Sequence, residues 1–294
     1  MPTLNRRVRA TLLLAPLIPV CFAGYLVWQA VGDSDGGPQG GKPGASAHKD
    51  TEDKEGSSPP SSVKPQTDEK PLDGKVIVLD PGHNPNNRDH TAEINRKVDI
   101  GTGRKECDTT GAATNDGYSE AEFTLDVTRR AERLLTGQGA TVKLTQDGKR
   151  AYGPCIDERA AIGNKAKADA VVSVHADGAG SSGDRGFHVI FPARVHDGVA
   201  DTRPITADSR KLGESVLKHF AKTTGSRHSN YTGDGKGYTV RSDLGGLNLS
   251  KVPKVFIECG NMRNAAEADR LSDAGWRQRA AHGIADGIRA YLQG

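Results

Sequence analysis

The chain has 294 residues, 36 of them glycine, and a formal net charge of +3 at pH 7. No basic stripe interleaved with aromatic residues accompanies this small charge, which argues against nucleic acid as a partner. The composition is therefore compatible with an enzyme or a binding domain. The location and the chemistry of the protein have to be inferred from individual segments of the chain.

The first 31 residues indicate where the protein resides. Residues 1–9 carry three arginines and form a basic cytoplasmic segment, and residues 10–31 carry no charge. As a helix, these 22 residues would span about 33 Å, enough for a bilayer core. The segment is longer than the apolar part of a signal peptide and lacks a small-residue cleavage site, which favours a signal anchor over a cleaved signal peptide. With either alternative the remainder is extracytoplasmic, and it is membrane-anchored through residues 10–31 if they are uncleaved.

Residues 32–74 have the composition of a disordered linker. Gly, Ser, Pro, Lys and acidic residues dominate, and such a segment cannot bury enough apolar surface to offset its ordering entropy. Its only apolar residues are Ala45, Ala47, Val63 and Leu72. The remaining 220 residues, 75–294, are long enough for one globular domain with a full core.

Three apolar runs in this domain end in side chains that can bind a metal or carry a proton. The run 75–80 leads into His83, 170–174 leads into His175, and 254–257 leads into Glu258. Such runs are typical of buried strands, and they alternate with amphipathic segments that predict helices. We therefore predict an α/β fold: a mainly parallel twisted sheet with helices on both faces. Ligands bind such sheets outside the carboxyl ends of the strands, so these side chains should share one cleft.

Each of the three also has a structural alternative. His83 follows Gly82, whose backbone freedom would turn the imidazole into the cleft, but it could instead be an exposed loop histidine. His175 could be a core histidine, although the polar residues after it favour a ligand at the surface. Glu258 ends an apolar run, where an unpaired carboxylate is costly to bury. Either a metal site or an ion pair with Lys or Arg would explain it.

Two further positions are candidates for the same cleft. Ser119 and Glu122 predict a capping box at a helix start. Because Glu122 fills that role, Glu120 is free to face a cation, although a glutamate in the first turn commonly serves only the helix dipole. Arg241 is a candidate for binding an acidic substrate group, with a surface arginine as the alternative.

Three cysteines lie beyond the membrane segment, and an extracytoplasmic location favours their pairing. Cys107 and Cys155 lie in loops, whereas Cys259 follows an apolar strand. We predict a Cys107–Cys155 disulfide, with three free thiols as the alternative. No two of these cysteines are closely spaced, which disfavours a cysteine zinc site.

Four motifs together resemble the zinc-dependent N-acetylmuramoyl-L-alanine amidases of the type 3 family, in its compact actinobacterial form. They occupy residues 79–83, 118–120 with Leu125, 173–177 and 256–262, in the order of the family. The resemblance implies one Zn²⁺ per domain. It implies His83, Glu120 and His175 as the zinc ligands and Glu258 as the catalytic carboxylate.

The implied reaction is hydrolysis of the amide between the lactyl group of N-acetylmuramic acid and L-alanine. The implied partners are peptidoglycan or muramoyl peptides, and we expect a monomer that faces the cell wall. A zinc peptidase that cuts within the stem peptide and a non-catalytic wall-binding module are the alternatives. The second would lack a ligand, and here all of them are present.

Overall fold

The structure, a computed structural model, describes residues 70–294. The predicted segments 1–9 and 10–31, and most of the linker 32–74, lie outside the described residues. Within residues 70–294 no helix combines the length and the apolarity needed to span a bilayer. The elements follow in chain order: β1 (Val76–Pro81), α1 (Thr91–Ile94), β2 (Lys97–Asp99), β3 (Arg104–Glu106), α2 (Glu120–Gly137), β4 (Thr141–Leu144), α3 (Ile156–Ala166), β5 (Ala170–Asp177), β6 (His188–Pro192), β7 (His196–Asp197), β8 (Ala200–Asp201), α4 (Thr206–Thr224), β9 (Tyr238–Arg241), α5 (Gly245–Asn248), β10 (Lys254–Asn261), α6 (Ala265–Ser272) and α7 (Ala274–Gln293).

A six-stranded sheet in the order β4-β1-β5-β10-β6-β9 forms the centre of the domain. The first four strands are mutually parallel, β6 runs antiparallel to β10, and β9 is parallel to β6. This confirms the predicted mainly parallel α/β fold. Since β1, β5 and β10 are parallel neighbours, the residues at their carboxyl ends meet at one edge of the sheet.

Helices cover both faces of the sheet, as predicted. The larger core lies between the sheet and α2, α4 and α7, where Phe123 and Phe220 pack against strand residues such as Leu79 and Val174. On the opposite face, Val78 and Val171 pack with residues of α3 and its flanks. Alternate residues of the buried strands thus enter different cores, which explains why these strands are apolar throughout rather than alternating.

The loop between β1 and α2 contains more regular structure than the sequence predicted. It holds the short helix α1 and the β2–β3 hairpin. Cys107 and Cys155 are joined by a disulfide, which is the predicted pairing, and Cys259 is free and buried. The disulfide ties this loop, at the residue that follows β3, to the residue that precedes α3.

The packed domain begins before residue 75, which corrects the predicted linker boundary. Leu72 is fully buried, and its N–H donates to the carbonyl of Gln138 at 3.0 Å. Lys75 N–H in turn donates to the Leu72 carbonyl at 3.0 Å. A single leucine within a polar run carries too little apolar signal to reveal this docking from the sequence.

Candidate metal centre

His83, Glu120 and His175 meet at the carboxyl edge of the sheet. His83 follows β1, Glu120 is the first residue of α2, and His175 lies near the end of β5. Glu120 Oε1 is 2.9 Å from His175 Nδ1, and Glu120 Oε2 is 3.3 Å from His83 Nε2. One ligand atom from each residue can be chosen so that all three lie within 4.8 Å of one another. This spacing is small enough for a single metal ion to contact all three.

The start of α2 separates the roles of its two glutamates. Glu122 completes the capping box: Ser119 N–H donates to Glu122 Oε2 at 3.2 Å, and Glu122 N–H donates to Ser119 Oγ at 3.3 Å. Glu120 is buried and takes no part in that cap. Its carboxylate instead accepts from the backbone N–H of Ala112 and Ala176 at 2.7 and 3.2 Å. It is therefore held in position to face the two imidazoles.

The backbone around His83 differs from the sequence expectation. His83 itself adopts the left-handed conformation, with φ of 61°, whereas Gly82 does not. Gly82 is needed for another reason: a Cβ there would lie 2.4 Å from His175 Cε1. The glycine therefore allows the β1 loop to approach His175, and the strain of the turn falls on His83.

His175 is held from both sides of its ring. Its imidazole stacks on the ring of Phe256, with centroids 5.2 Å apart and planes within 3°. On its other face the approach of Gly82 leaves no room for a Cβ. The core-histidine alternative is not what the structure shows, because His175 is only partly buried and lines an open cleft.

Glu258 lies beside His175, its cross-strand partner on β5. Its Oε2 is buried and has no hydrogen-bond partner among the described residues. No ion pair of Glu258 with Lys or Arg occurs within residues 70–294. Burial first, and then the nearby carboxylates of Glu120 and Asp177, raise the pKa of Glu258 well above its ordinary value. The side chain is thus a half-buried acid with an unpartnered oxygen, and it lines the same cleft as the three candidate ligands.

Two of the candidate ligands, Glu120 and His83, have pKa values shifted in opposite directions. Burial raises the pKa of Glu120, but the charges and hydrogen bonds of His83 and His175 lower it by more, to well below its ordinary value. Burial lowers the pKa of His83, but Glu120 and Asp108 raise it by more, to well above its ordinary value. The lowered pKa keeps Glu120 charged, which suits a cation ligand, whereas His83 has to release its proton before its nitrogen can bind a metal.

A cleft of about 330 Å³ opens over the cluster. Its charged lining residues are His83, Glu120, His175, Asp177, Arg241 and Glu258. Arg241 Nε and Nη2 donate to the carboxylate of Asp243 at 2.7 and 2.6 Å, and Lys105 Nζ donates to the same carboxylate at 2.8 Å. Arg241 is therefore an exposed side chain that Asp243 holds at the rim of the cleft.

Sequence reasoning missed the charged residues beneath the cluster. Asp80, at the end of β1, accepts from Lys254 Nζ at 2.9 Å and from Arg159 Nη1 at 2.8 Å, and all three are buried. Asp108 contacts both Arg159 and His83. The sequence offered one signal for this pair: Asp80 ends one apolar run, and Lys254 begins another.

The described domain is similar to several known proteins. A family model described as N-acetylmuramoyl-L-alanine amidase matches residues 77–290. The N-acetylmuramoyl-L-alanine amidase Rv3717 of Mycobacterium tuberculosis is 36% identical over 220 residues, which cover 74% of this chain and 87% of that protein. The probable cell wall amidase LytH of Staphylococcus aureus is 29% identical over 234 residues, covering 78% of this chain and 63% of its own length.

The crystal structure of the N-acetylmuramyl-L-alanine amidase Ami1 from Mycobacterium smegmatis superposes with a TM-score of 0.68 at 37% identity. The superposition covers 75% of this chain and 98% of that one. The described domain and that structure therefore share one fold over nearly the whole of Ami1.

Proposed function

The chain belongs to the N-acetylmuramoyl-L-alanine amidase family, and from that premise we propose that it hydrolyses peptidoglycan at the amide between the lactyl group of N-acetylmuramic acid and L-alanine. The observation that carries the proposal is the meeting of His83, Glu120 and His175 beside the half-buried Glu258. Two imidazoles, a carboxylate ligand and a separate proton carrier are what a zinc hydrolase requires.

The donor set fits one Zn²⁺. Imidazole nitrogen and carboxylate oxygen suit zinc, and three protein ligands leave a position open for chemistry. When bound, the ion would polarise the scissile carbonyl and acidify the attacking water. The unpartnered Oε2 of Glu258 is a second indication, because a buried carboxylate oxygen with no protein partner is costly unless something else contacts it.

Glu258 is the proposed proton carrier. Its Oε2 would accept a proton from the attacking water and deliver it to the nitrogen of L-alanine as the amide breaks. The raised pKa of Glu258 suits the second half of this transfer, because a carboxyl group that holds its proton can give it to the leaving amine. His83 and His175 make no proton transfer in this scheme and serve to bind and orient.

Arg241 is the proposed contact for an acidic group of the stem peptide. Asp243 occupies its Nε and Nη2, which leaves Nη1 to donate to a carboxylate in the cleft. We expect Arg241→Gln to raise KM for a stem peptide with a free carboxylate and to leave KM unchanged for the corresponding carboxamide. Equal effects on both substrates would refute this role.

The bond that is cleaved can be identified from products. The purified chain loaded with zinc is incubated with muramoyl peptides, and the products are analysed by mass spectrometry. We expect stem peptides with a free L-alanine amino terminus, together with intact muramic acid. A chelator should stop the reaction and zinc should restore it. Products with new termini inside the stem peptide would instead establish a zinc peptidase, and a wall-binding module would give no products.

Residue roles can be separated by measuring zinc content as well as hydrolysis. Glu258→Gln should retain zinc and lose hydrolysis, because it removes the proton carrier and no ligand. His83→Ala should lose zinc as well. Glu122→Gln and His196→Ala are matched controls, since Glu122 is in the capping box and His196 is exposed in β7. Substantial hydrolysis by zinc-loaded Glu258→Gln, or full zinc occupancy in His83→Ala, would contradict the assigned role.

We also propose an extracytoplasmic location. Residues 1–9 would remain in the cytoplasm, residues 10–31 would anchor the chain, and residues 32–74 would link the anchor to a monomeric catalytic domain facing the wall. The uncharged stretch after three arginines and the name of the staphylococcal relative, a probable cell wall amidase, support this. Membrane fractionation with N-terminal sequencing tests it: a soluble form that starts after residue 31 would show cleavage instead of anchoring.

A further inference from the structure

Four charged side chains are buried beneath the candidate metal centre, and they are called here the buried ion network. Its members are Asp80, Asp108, Arg159 and Lys254, none of them more than 5% exposed. Lys254 Nζ donates to Asp80 Oδ2 at 2.9 Å and Arg159 Nη1 donates to Asp80 Oδ1 at 2.8 Å. Arg159 Nη2 donates to Asp108 Oδ2 at 2.9 Å. Positive and negative charges alternate along the network, so each buried charge has an opposite partner.

Arg159 joins the network to the backbone around His83. Its Nη1 also donates to the Pro81 carbonyl at 2.6 Å, its Nη2 to the His83 carbonyl at 3.0 Å, and its Nε to the Pro154 carbonyl at 2.9 Å. Every N–H-bearing nitrogen of the guanidinium group is therefore engaged. Because two of these acceptors belong to the turn that carries His83, the arginine fixes the path of that turn.

Asp80 reaches the second histidine through a hydroxyl group. Ser173 Oγ lies 2.9 Å from Asp80 Oδ2 and 3.2 Å from His175 Nε2. Burial raises the pKa of Asp80, but Lys254 and Arg159 lower it by more, so the group is a carboxylate that can only accept. Ser173 therefore donates its single hydrogen to Asp80, and its lone pair accepts from His175 Nε2–H. Nε2 of His175 therefore has its own partner, and Nδ1 is the nitrogen that faces Glu120, with Oε1 2.9 Å away.

Asp108 reaches the first histidine directly. Asp108 Oδ1 lies 3.3 Å from His83 Nδ1, and the Thr109 carbonyl lies 3.1 Å from the same nitrogen. Because acceptors surround Nδ1, this nitrogen carries a proton and donates. Nε2 is then the nitrogen that faces Glu120. Cys107, next to Asp108, is bonded to Cys155 at the start of the helix that carries Arg159, so the disulfide holds the two charged partners together.

We propose that Asp80 is a positioning residue for the metal centre. Through Ser173 it sets the tautomer and direction of His175, and through Arg159 and Asp108 it supports His83. The proposal rests on the proposed function in one respect, since it takes His83, Glu120 and His175 as the metal ligands. Substitution of a residue that hydrogen-bonds the second nitrogen of a ligating imidazole commonly lowers metal affinity by about 10- to 100-fold.

Two substitutions in the full-length chain separate positioning from simple stabilisation. Ser173→Ala and Thr145→Val each remove one buried hydroxyl that donates to Asp80, but Ser173 contacts a histidine and Thr145 does not. In chelator competition we expect the zinc dissociation constant to rise about 10- to 100-fold in Ser173→Ala and to stay at the wild-type value in Thr145→Val. The visible absorption of the cobalt-substituted protein should change in Ser173→Ala alone, because only there does an imidazole reorient.

The outcomes distinguish this inference from the proposed function. Wild-type zinc affinity and an unchanged cobalt spectrum in Ser173→Ala would overturn the positioning role. Equal losses of affinity in Ser173→Ala and Thr145→Val would also overturn it, because Thr145 contacts no candidate ligand and the loss would then reflect a general loss of stability. If His83→Ala retains its zinc, the ligand set itself is wrong. If His83→Ala loses zinc while Ser173→Ala does not, the ligand set stands and only the positioning role fails.

Discussion

Replacement of Gly82 by alanine tests how tightly the β1 turn confines the candidate metal centre. A Cβ at this position would lie 2.4 Å from Cε1, 2.5 Å from Nδ1 and 2.8 Å from Nε2 of His175. Gly82 does not have a positive φ, so backbone strain plays no part and the effect of the new methyl group is steric. Phe256 stacks on the ring of His175, so the ring cannot simply slide away.

The size of the effect follows from these distances. Ordinary van der Waals contacts of a Cβ lie at 3.4–4 Å, so the ring or the turn must move by about 1 Å. Metal–ligand distances tolerate only about 0.2 Å. We therefore expect zinc affinity to fall by about 100-fold or more, and hydrolysis to fall by at least about the same factor. Overpacking should destabilise the fold by about 1–3 kcal/mol, equivalent to a melting temperature lower by roughly 2–12 °C.

The assay compares Gly82→Ala with Gly137→Ala. Gly137 ends α2 without a positive φ, and a Cβ there would meet nothing within 4 Å. Zinc affinity by chelator competition, hydrolysis of a muramoyl peptide and the melting temperature are measured for both variants. The reasoning is refuted if folded Gly82→Ala binds zinc and hydrolyses substrate as well as Gly137→Ala does.

Two more predictions concern stability. Reduction or Cys107→Ser should lower the free energy of unfolding by about 4 kcal/mol, because the disulfide closes a separation of 48 residues; equal urea midpoints for oxidised and reduced protein would contradict this. Leu72→Ala should lower the free energy of unfolding by about 2–5 kcal/mol, because the side chain is fully buried. A domain that starts at residue 75 and is as stable as one that starts at residue 70 would show that Leu72 contributes nothing.

The sequence predicted those parts of the site that depend on local pattern. Apolar runs that end in His83, His175 and Glu258 indicated strands, and parallel strands bring their ends together whatever the details of packing. The capping box was also predictable from local pattern, because it depends on two residues three positions apart. Since Glu122 fills that role, Glu120 was available for another. Convergence of His83, His175 and Glu258 was therefore predictable from short-range signals and one topological rule, whereas the same signals left Glu120 open and the family resemblance assigned it.

The supporting contacts could not be predicted in this way, because they join residues far apart in the chain. Asp80 pairs with Lys254, 174 positions away, and with Arg159, 79 positions away. Nothing in a single sequence selects these pairs from the other charged residues. The sequence singled out Gly82 for its backbone freedom, and that reason was wrong. Gly82 matters because the turn approaches His175 too closely for a Cβ.

The two glutamates of the cleft show why residue type alone does not assign a role. Burial raises the pKa of Glu120, but the charges and hydrogen bonds of His83 and His175 lower it by more. Its carboxylate also accepts from two backbone N–H groups. Glu258 is half-buried, with a buried Oε2 that has no partner among the described residues, and burial together with the nearby carboxylates of Glu120 and Asp177 raises its pKa. A carboxylate that stays charged is suited to bind a cation, and one that can hold a proton is suited to transfer it. A glutamate side chain thus suits the ligand role at Glu120 and the proton-carrier role at Glu258. The surroundings of each carboxylate, through its pKa, determine which role it suits.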